Sequence, residues 1–434
     1  MLHHTQHVIM GVEADVDGRQ VNLLLKTLKV RLYPTQEQEK LFHSFVGCSK
    51  FVYNYVIRKQ KENYEQGNKF INYYDFKKQF TQDKKEYSFL LECSNQTLDG
   101  TMRDAFKAYE NFFDKSRKKL SGYPKYRTRY EKKFYTRYDK VKFGINLDAV
   151  KDRNTISRAL KNKPPDYDIT KRVYFERIGW VKVAEPERFI GINSFKNPRV
   201  KFDGKYWYLT VAVELHSPKI THTEEVLGVD LGVKELAIVS NGSRYANVNK
   251  SVKMQKIEKR KKRLQRQSSR KYQAQQTKGT AIQKGEKFKK SNNQKKLEAK
   301  IAKLSRKQAN TRRTHICQAV TDLVKTHPRA IVVENLNVVG MLKNGKLAQS
   351  IQEQTFGAFL KQAEWKCTQL GIELIKADRF YPSSKTCNSC GYIHKELKLS
   401  DRIFKCPSCA YVKDRDENAA DNLRDYGKLL LQTA

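Results

Sequence analysis

Residues 225–248 read EVLGVDLGVKELAIVSNGSRYANV, and the reading of this stretch decides the fold class. Short apolar runs of strand type flank an Asn241-Gly242 dipeptide, the strongest short-range hairpin signal, so a strand, an Asn-Gly turn and a second strand are expected. Asp230 sits mid-strand between Val229 and Leu231 and is followed by Gly232. A charge in a strand that would otherwise be buried needs a partner. Further along, PRAIVVENLN (328–337) has the continuous apolar run of a strand covered on both faces, and Glu334 stands at its carboxyl end, where α/β sheets place their ligands. A helix is expected over 311–326, one long amphipathic helix over Leu347–Leu370, and then a strand at IELIKA (372–377). The order hairpin, helix, strand, helix, strand is that of an α/β layer fold.

Upstream, the pattern changes. Leu23–Tyr33 (LLLKTLKVRLY) alternates apolar with basic residues and stops at Pro34, which predicts a strand. Thr35 can cap a helix whose apolar residues Leu41, Phe42, Phe45, Val46, Phe51, Val52, Tyr55 and Val56 recur at helical spacing. Aromatic-rich helical patterns continue to AFKAYENFFDKSRKK (105–119), and short strands follow from Gly122, KYWYLTVAVEL (205–215) being the clearest. The helical block therefore reads as an insertion between β segments. Residues 1–20 mix His, Asp and Gly without periodicity and are expected to be a disordered lead-in.

The chain has 434 residues, enough for two or three domains. Its 86 Lys and Arg outnumber 46 Asp and Glu, a net charge of +40 that calls for a polyanionic partner, nucleic acid first among them. There is no apolar run long enough to span a bilayer and no secretory signal, so no membrane partner is expected. The charge concentrates in Lys253–Arg313, where acids are nearly absent. KMQKIEKRKKRLQRQ and QKKLEAKIAKLSRKQ are helix formers, while Ala274–Asn293 lacks periodicity, so a helical hairpin with a floppy tip is expected. A solvated charged face is the ordinary reading of such a run, but the charge here is too one-signed for that. Lys259, Arg260, Lys261, Lys262, Arg263, Arg312 and Arg313 are the candidate nucleic-acid contacts.

Of eight cysteines, Cys48, Cys93, Cys317 and Cys367 lie singly, as buried free thiols do, and four form two Cys-x-x-Cys pairs. Cys387 and Cys390 are separated from Cys406 and Cys409 by fifteen residues, the spacing of a four-thiolate zinc ribbon. Gly391 suits the knuckle turn, and four sulfurs leave no open position, so the zinc would be structural. His394 is an alternative ligand.

Asp416 follows the ribbon in KDRDENAADNL at an expected helix N-terminus, with Asp414 as its rival. Taken singly, each of Asp230, Glu334 and Asp416 could be a helix cap or an ion-pair partner. Three carboxylates converging from two strands and a helix would repel one another, which is intelligible if they hold two Mg²⁺ ions. Two such ions can activate a water and stabilise the leaving oxygen of a phosphodiester.

These residues together resemble the TnpB (OrfB) family of bacterial insertion sequences, relatives of the type V CRISPR effectors. The motifs are KVRLYPT (29–35), GCSKFVYNY (47–55), GYPKY (122–126), GVDLGVK (228–234), VVENLNVVGM (332–341), FYPSSKTCNSCG (380–391) and CPSCAYVKDRDENAADNL (406–423). The resemblance implies RNA-guided cleavage of double-stranded DNA, with Asp230, Glu334 and Asp416 as catalytic, Mg²⁺-binding residues and Cys387, Cys390, Cys406 and Cys409 as zinc ligands. It implies a multidomain α+β architecture: an RNase H-like (RuvC) α/β catalytic domain with an inserted four-cysteine zinc ribbon, and an N-terminal β wedge domain carrying an inserted helical recognition module. On this chain that gives a wedge domain at 21–36 and 121–222 around a helical module at 37–120, then a nuclease domain at 223–380 with the basic hairpin at 251–313. The ribbon takes 381–412 and a C-terminal helix 413–434. Asn335 and Lys413 depart from the family pattern, at positions outside the triad. A single chain with its guide RNA and target DNA, in the cytoplasm of a prokaryote at its nucleoid, is the expected assembly. A nuclease-inactive RNA-guided DNA-binding regulator and a transposition accessory protein are the alternatives.

Overall fold

A computed structural model describes residues 11–14, 20–114, 122–128, 132–136, 138–192, 194–216, 220–276, 290–345, 348–398 and 400–433. The chain divides into two compact units, essentially Leu23–Leu215 and His216 onward.

The first unit is built on strands β1 (Gly11–Ala14), β2 (Gln20–Tyr33), β3 (Lys133–Tyr135), β4 (Val141–Phe143), β5 (Arg172–Phe175), β6 (Gly179–Val183), β7 (Lys196–Phe202) and β8 (Trp207–His216). They form one sheet in the order β3-β7-β8-β2-β6-β5-β4, with β1 also on β2. Gly11–Ala14 thus pairs as a strand, which corrects the expectation of a lead-in disordered through residue 20; residues 1–10 and 15–19 lie outside the described residues. β2 runs back to Gln20, beyond the Leu23 at which the alternating pattern begins, and this extension gives the upstream segment a strand to pair with.

Helices α1 (Gln36–Glu65), α2 (Tyr73–Asp83) and α3 (Asn95–Phe113) follow β2, and a short α4 (Arg153–Leu160), which the sequence pattern did not suggest, lies between β4 and β5. α1 starts where Thr35 accepts the Gln38 N–H while the Gln38 side chain accepts the Thr35 N–H, a capping box. Phe42 and Phe45 on α1 reach Phe134, Phe175 and Trp207 of the sheet with ring centroids 4.9–6.0 Å apart, so helices and sheet share one core.

The second unit holds a five-stranded sheet of β9 (Val226–Asp230), β10 (Glu235–Val239), β11 (Arg244–Ala246), β12 (Ala330–Val333) and β13 (Glu373–Lys376), in the order β11-β10-β9-β12-β13. Residues 225–248 make three strands: the Asn241-Gly242 turn joins β10 to β11, and a further turn at 231–234 separates β9 from β10. Asp230 is consequently the last residue of β9 and not a mid-strand one. The antiparallel β9-β10-β11 meander abuts parallel pairs β9-β12 and β12-β13.

Between β11 and β12 run α5 (Val252–Gln276) and α6 (Asn292–Val324); the expected floppy tip falls mostly outside the described residues. The separately expected helix at 311–326 is the continuation of α6, because the basic half and the apolar Ile316, Ala319, Val320, Leu323 half carry no breaker between them. After β12 come α7 (Val338–Met341), α8 (Ala348–Gln354) and α9 (Phe356–Leu370). The single helix expected over Leu347–Leu370 is broken at Thr355, whose backbone is left-handed (φ 56, ψ 42). The bend lets the buried Gln354 side chain donate to the carbonyls of Gly232 and Val233 at 3.0 and 3.2 Å. β14 (Ile403–Lys405) and β15 (Val412–Asp414) form the ribbon hairpin, and α10 (Arg415–Thr433) closes the chain.

α6 and α9 cover one face of the sheet through Leu227, Val229, Ile331 and Val333; α10 covers the other through Val226, Ala330, Val332 and Leu423. α10 approaches very closely. A Cβ on Gly228 would lie 2.0 Å from the Ala420 carbonyl oxygen, and one on Gly427 would lie 2.3 Å from Val332 Cγ2. Glycines on both sides of this contact remove the side chains that would hold helix and sheet apart.

Candidate carboxylate and thiolate metal centres

Strand register assembles the first centre. β9 and β12 are parallel, with Val226 opposite Ala330 and Val229 opposite Val333, so Asp230 and Glu334 are the next residues on neighbouring chains. Side chains alternate along a strand. Asp230 therefore shares a face with Val226 and Gly228, and Glu334 with Ala330 and Val332, which is the face α10 covers. On α10 the residues turned to that face recur as Ala420, Leu423 and Gly427, and one turn before Ala420 the same stripe reaches Asp416. Three sequence-distant carboxylates are thus brought to one place by two strand ends and the first turn of a helix.

The electrostatics agree with that placement. Burial pushes the Asp230 carboxyl well above the ordinary carboxylate range, the negative charges of Glu334 and Asp416 push it further, and the Arg415 guanidinium offsets them in part. Glu334 is likewise raised by burial, against the hydrogen bonds from Ser383 and Asp230, and Asp416 adds repulsion. Ser383 Oγ donates to Glu334 Oε1 at 2.7 Å. Asp416 Oδ1 accepts from Arg415 Nε and Nη2 at 3.1 and 2.9 Å, and Arg402 Nη1 lies 3.7 Å from its other oxygen.

Asp414 has a different job. Its Oδ1 accepts the backbone N–H groups of Asp416 and Glu417 at 3.0 and 3.2 Å, which makes it the N-cap of α10, and its other oxygen is 3.6 Å from Arg244. Of the two acids in Asp-Arg-Asp, Asp416 alone is seen by Asp230. Lys413 pairs with the buried Asp421, and Asn335 is exposed.

The donor set is all carboxylate oxygen, hard and anionic, which suits Mg²⁺. Burial first, and neighbouring carboxylate charge after it, pull both Asp230 and Glu334 upward, so negative charge is costly at this place. Among the described residues, the three carboxylates are not drawn together as tightly as the thiolates are.

The second centre is local. The Sγ atoms of Cys387, Cys390, Cys406 and Cys409 all lie within 4.8 Å of one another, with Cys387–Cys409 at 3.7 Å and Cys390–Cys406 at 3.6 Å. A tetrahedron with metal–sulfur bonds of about 2.3 Å has edges of roughly 3.8 Å, so the spacing suits a metal-bound tetrathiolate. His394 is not part of this cluster. Each Cys-x-x-Cys turn is closed by a backbone bond, Gly391 N–H to Cys387 O at 2.9 Å and Ala410 N–H to Cys406 O at 3.2 Å. Phe404, with no exposed surface, fills the small core beneath. Of the remaining cysteines, Cys48, Cys93 and Cys367 are buried and Cys317 partly so.

On the basic hairpin, Lys259, Arg260, Lys262, Arg263 and Arg313 are exposed, whereas two of the expected contacts point inward. Lys261 Nζ is held by Glu258 at 2.7 Å and Gln308 at 2.8 Å, and Arg312 Nε donates to Asn249 at 2.6 Å. Helical spacing turns one residue in every three or four toward the partner helix, whatever its charge. Sequence reading also missed Arg415, Ser383, Asn418 and Asn422; the last two sit one helical turn apart in the Asn-x-x-x-Asn of NAADN, the signal available.

No described helix is long and apolar enough to cross a membrane. Comparison with known proteins gives three family matches: the helix-turn-helix domain of OrfB IS605 proteins over residues 23–69, the OrfB IS605 family (Probable transposase) over 209–345, and the Cas12f1-like TNB domain over 356–423. InsQ of Escherichia coli K12, named as an RNA-guided DNA endonuclease, is 28% identical over 425 residues, 94% of this chain and 93% of InsQ. A Streptomyces pristinaespiralis protein of the same designation is 28% identical over 404 residues, 92% of this chain and 88% of its own. Among solved structures, the protein chain of a Cas12f1–sgRNA–target DNA complex aligns with a TM-score of 0.52 at 15% identity, over 93% of this chain and 99% of that one, a likeness of fold. With family matches at 23–69, 209–345 and 356–423 and relatives aligned over more than nine-tenths of its length, the chain is similar to the OrfB (TnpB) proteins of insertion sequences.

Proposed function

We propose that this protein is an RNA-guided DNA endonuclease encoded by an insertion sequence, and that it opens phosphodiester bonds on each strand in turn through one RuvC-type site in an RNase H-like domain. The observation that carries the reading is the convergence of Asp230, Glu334 and Asp416 at adjacent parallel strand ends beneath the first turn of α10. Asp230, Glu334 and Asp416 would hold Mg²⁺, two ions by this reading, which supplies activation of the attacking water and neutralisation of charge on the leaving oxygen.

The chain's own groups prepare that chemistry. Burial raises both Asp230 and Glu334, and the charges of Glu334 and Asp416 add to the rise at Asp230, so a cation bound here would offset negative charge that the site holds at a cost. Ser383 fixes one Glu334 oxygen by donating to it. Arg415 and Arg402 hold Asp416 and bring positive charge to the place where a phosphate would approach. The ribbon cysteines Cys387, Cys390, Cys406 and Cys409 would hold one zinc with no free position, a structural role.

Guide RNA and target DNA are the proposed partners of a single chain. Exposed Lys259, Arg260, Lys262, Arg263 and Arg313 offer phosphate contacts, while Lys261 and Arg312 stiffen the hairpin. The test uses the protein with the RNA that co-purifies and DNA complementary to that RNA. Asp230→Ala is expected to lower Mg²⁺-dependent cleavage at least a thousandfold and to leave DNA binding in a chelator unchanged, since backbone affinity comes from Lys and Arg. Cleavage at the wild-type rate with binding intact would sink the catalytic assignment, and an inert wild type that still binds would favour the regulator.

A further inference from the structure

Between the ribbon and α10 lies a set of buried amides that neither metal centre requires for ligation. Asn418 has no exposed surface and Asn422 only 3%. Asn418 Nδ2 donates to the Thr386 carbonyl at 2.7 Å, and Asn422 Nδ2 donates to the carbonyls of Ser383 and Thr386, both at 2.7 Å. From the other side Asn388, which stands between Cys387 and Cys390, donates its backbone N–H to Asn418 Oδ1 at 3.1 Å and its side-chain amide to Asn422 Oδ1 at 3.1 Å and Asp425 Oδ2 at 2.7 Å. Both polar ends of both helix asparagines are therefore satisfied by the root and knuckle of the ribbon.

Apolar packing could hold a ribbon against a helix without the desolvation cost of these amides. What a fully satisfied amide set adds is a single allowed rotation and height of the helix, because donors and acceptors mate in one register only. Asn418 is two residues from Asp416, and Ser383, whose carbonyl Asn422 holds, gives its hydroxyl to Glu334. A path of hydrogen bonds thus runs from the thiolate knuckle through Asn422 and Ser383 to Glu334, and Asn418 ties the knuckle to the helical turn that carries Asp416.

We propose that the ribbon is a positioning device for the carboxylate centre. Ser383 orients Glu334, and the Asn388–Asn418–Asn422 cluster fixes the helical turn carrying Asp416, so order imposed at the thiolates is transmitted to cation binding at the acids. Ser383, Asn388, Asn418 and Asn422 are positioning residues in this scheme. It rests on the carboxylate-centre reading above.

The test measures Mn²⁺ binding by electron paramagnetic resonance on the protein with its co-purified RNA, alongside zinc content, thermal unfolding and the Mg²⁺ concentration for half-maximal cleavage. Ser383→Ala and Asn388→Ala are expected to keep one zinc per chain yet weaken Mn²⁺ binding on the order of 10–100-fold, as loss of supporting hydrogen bonds around a metal does. The Mg²⁺ requirement should rise in parallel, and Ser383→Thr, which keeps the hydroxyl, should recover most of the loss. If Ser383→Ala does not fold, Asn388→Ala, on a partly exposed knuckle, carries the test. Wild-type Mn²⁺ affinity in both variants overturns the proposal. With Asp230→Ala in the same series the two failures separate: lost Mn²⁺ binding there with normal binding in Ser383→Ala and Asn388→Ala sinks only the positioning role, whereas normal binding in Asp230→Ala sinks the carboxylate centre itself.

Discussion

The ribbon and the carboxylate centre solve one problem, gathering anionic ligands, in opposite ways. The four cysteines lie within 23 residues, in two turns that each close by a local backbone bond. The three carboxylates are drawn from β9, β12 and α10, and nothing local holds them; strand register and helix packing do. A local site can form wherever its segment folds, and its metal supplies the folding energy. A distributed site exists only once the whole second unit is in place, and its like charges oppose its assembly.

The largest test of that contrast removes one thiolate. Cys390→Ser should lose the zinc and open residues 381–412 to amide hydrogen exchange, since structural zinc contributes roughly 10–16 kcal/mol in zinc-finger peptides. The sheet Val226–Lys376 should stay protected. Retention of one zinc per chain would show that the four-cysteine assignment is wrong.

A second experiment attacks the distributed site without touching a carboxylate. Gly228→Ala places a methyl 2.0 Å from the Ala420 carbonyl and 2.4 Å from the Arg424 nitrogen, so α10 must move off the sheet. We expect a loss of about 3 kcal/mol in denaturant unfolding, with divalent-cation affinity falling while zinc content holds. Unchanged unfolding would mean that α10 does not sit against β9.

The third concerns charge. Because the folded Asp230 and Glu334 carboxyls titrate above their unfolded range near 4, their contribution to stability is fully present below that pH. It is lost as pH rises through the raised folded values. In a chelator, Asp230→Asn should therefore unfold at a higher temperature than wild type at neutral pH and at about the same temperature near pH 4, a tenfold difference in proton affinity between the two states being worth about 1.4 kcal/mol. Mg²⁺ should stabilise wild type and not the variant. A variant no more stable than wild type at pH 7 would contradict the clustering of charge.

The smallest effect separates the two acids of Asp-Arg-Asp. Asp414→Ala removes a helix cap, expected to cost about 1 kcal/mol, and should lower cleavage modestly where Asp416→Ala abolishes it. Equal loss in both would assign Asp414 a direct part.

How much was legible follows from the same contrast. Cysteine spacing announces the ribbon, and a charge beside Val229 and Val333 marks Asp230 and Glu334 as anomalies, because burial of an acid violates a local rule. Choosing Asp416 over Asp414 took the motif resemblance, and the structure gives the reason: one faces the sheet, the other caps. The inward turn of Lys261 and Arg312 was invisible, since composition carries charge but not the side of a helix it falls on. So was the break at Thr355, a left-handed residue next to Gln354, whose side chain reaches the carbonyls after β9.

The amino-acid sequence by itself determined the inventory: a basic surface, a tetrathiolate turn pair, apolar strands carrying acids, and helices with their caps. These depend on interactions between residues a few positions apart. The tertiary structure decided which acids meet, through a parallel register that sets Asp230 beside Glu334 and a glycine-lined contact that brings Asp416 down upon them. Register and close packing are fixed by the best fit of whole faces across more than a hundred residues of chain, and no short stretch contains that information.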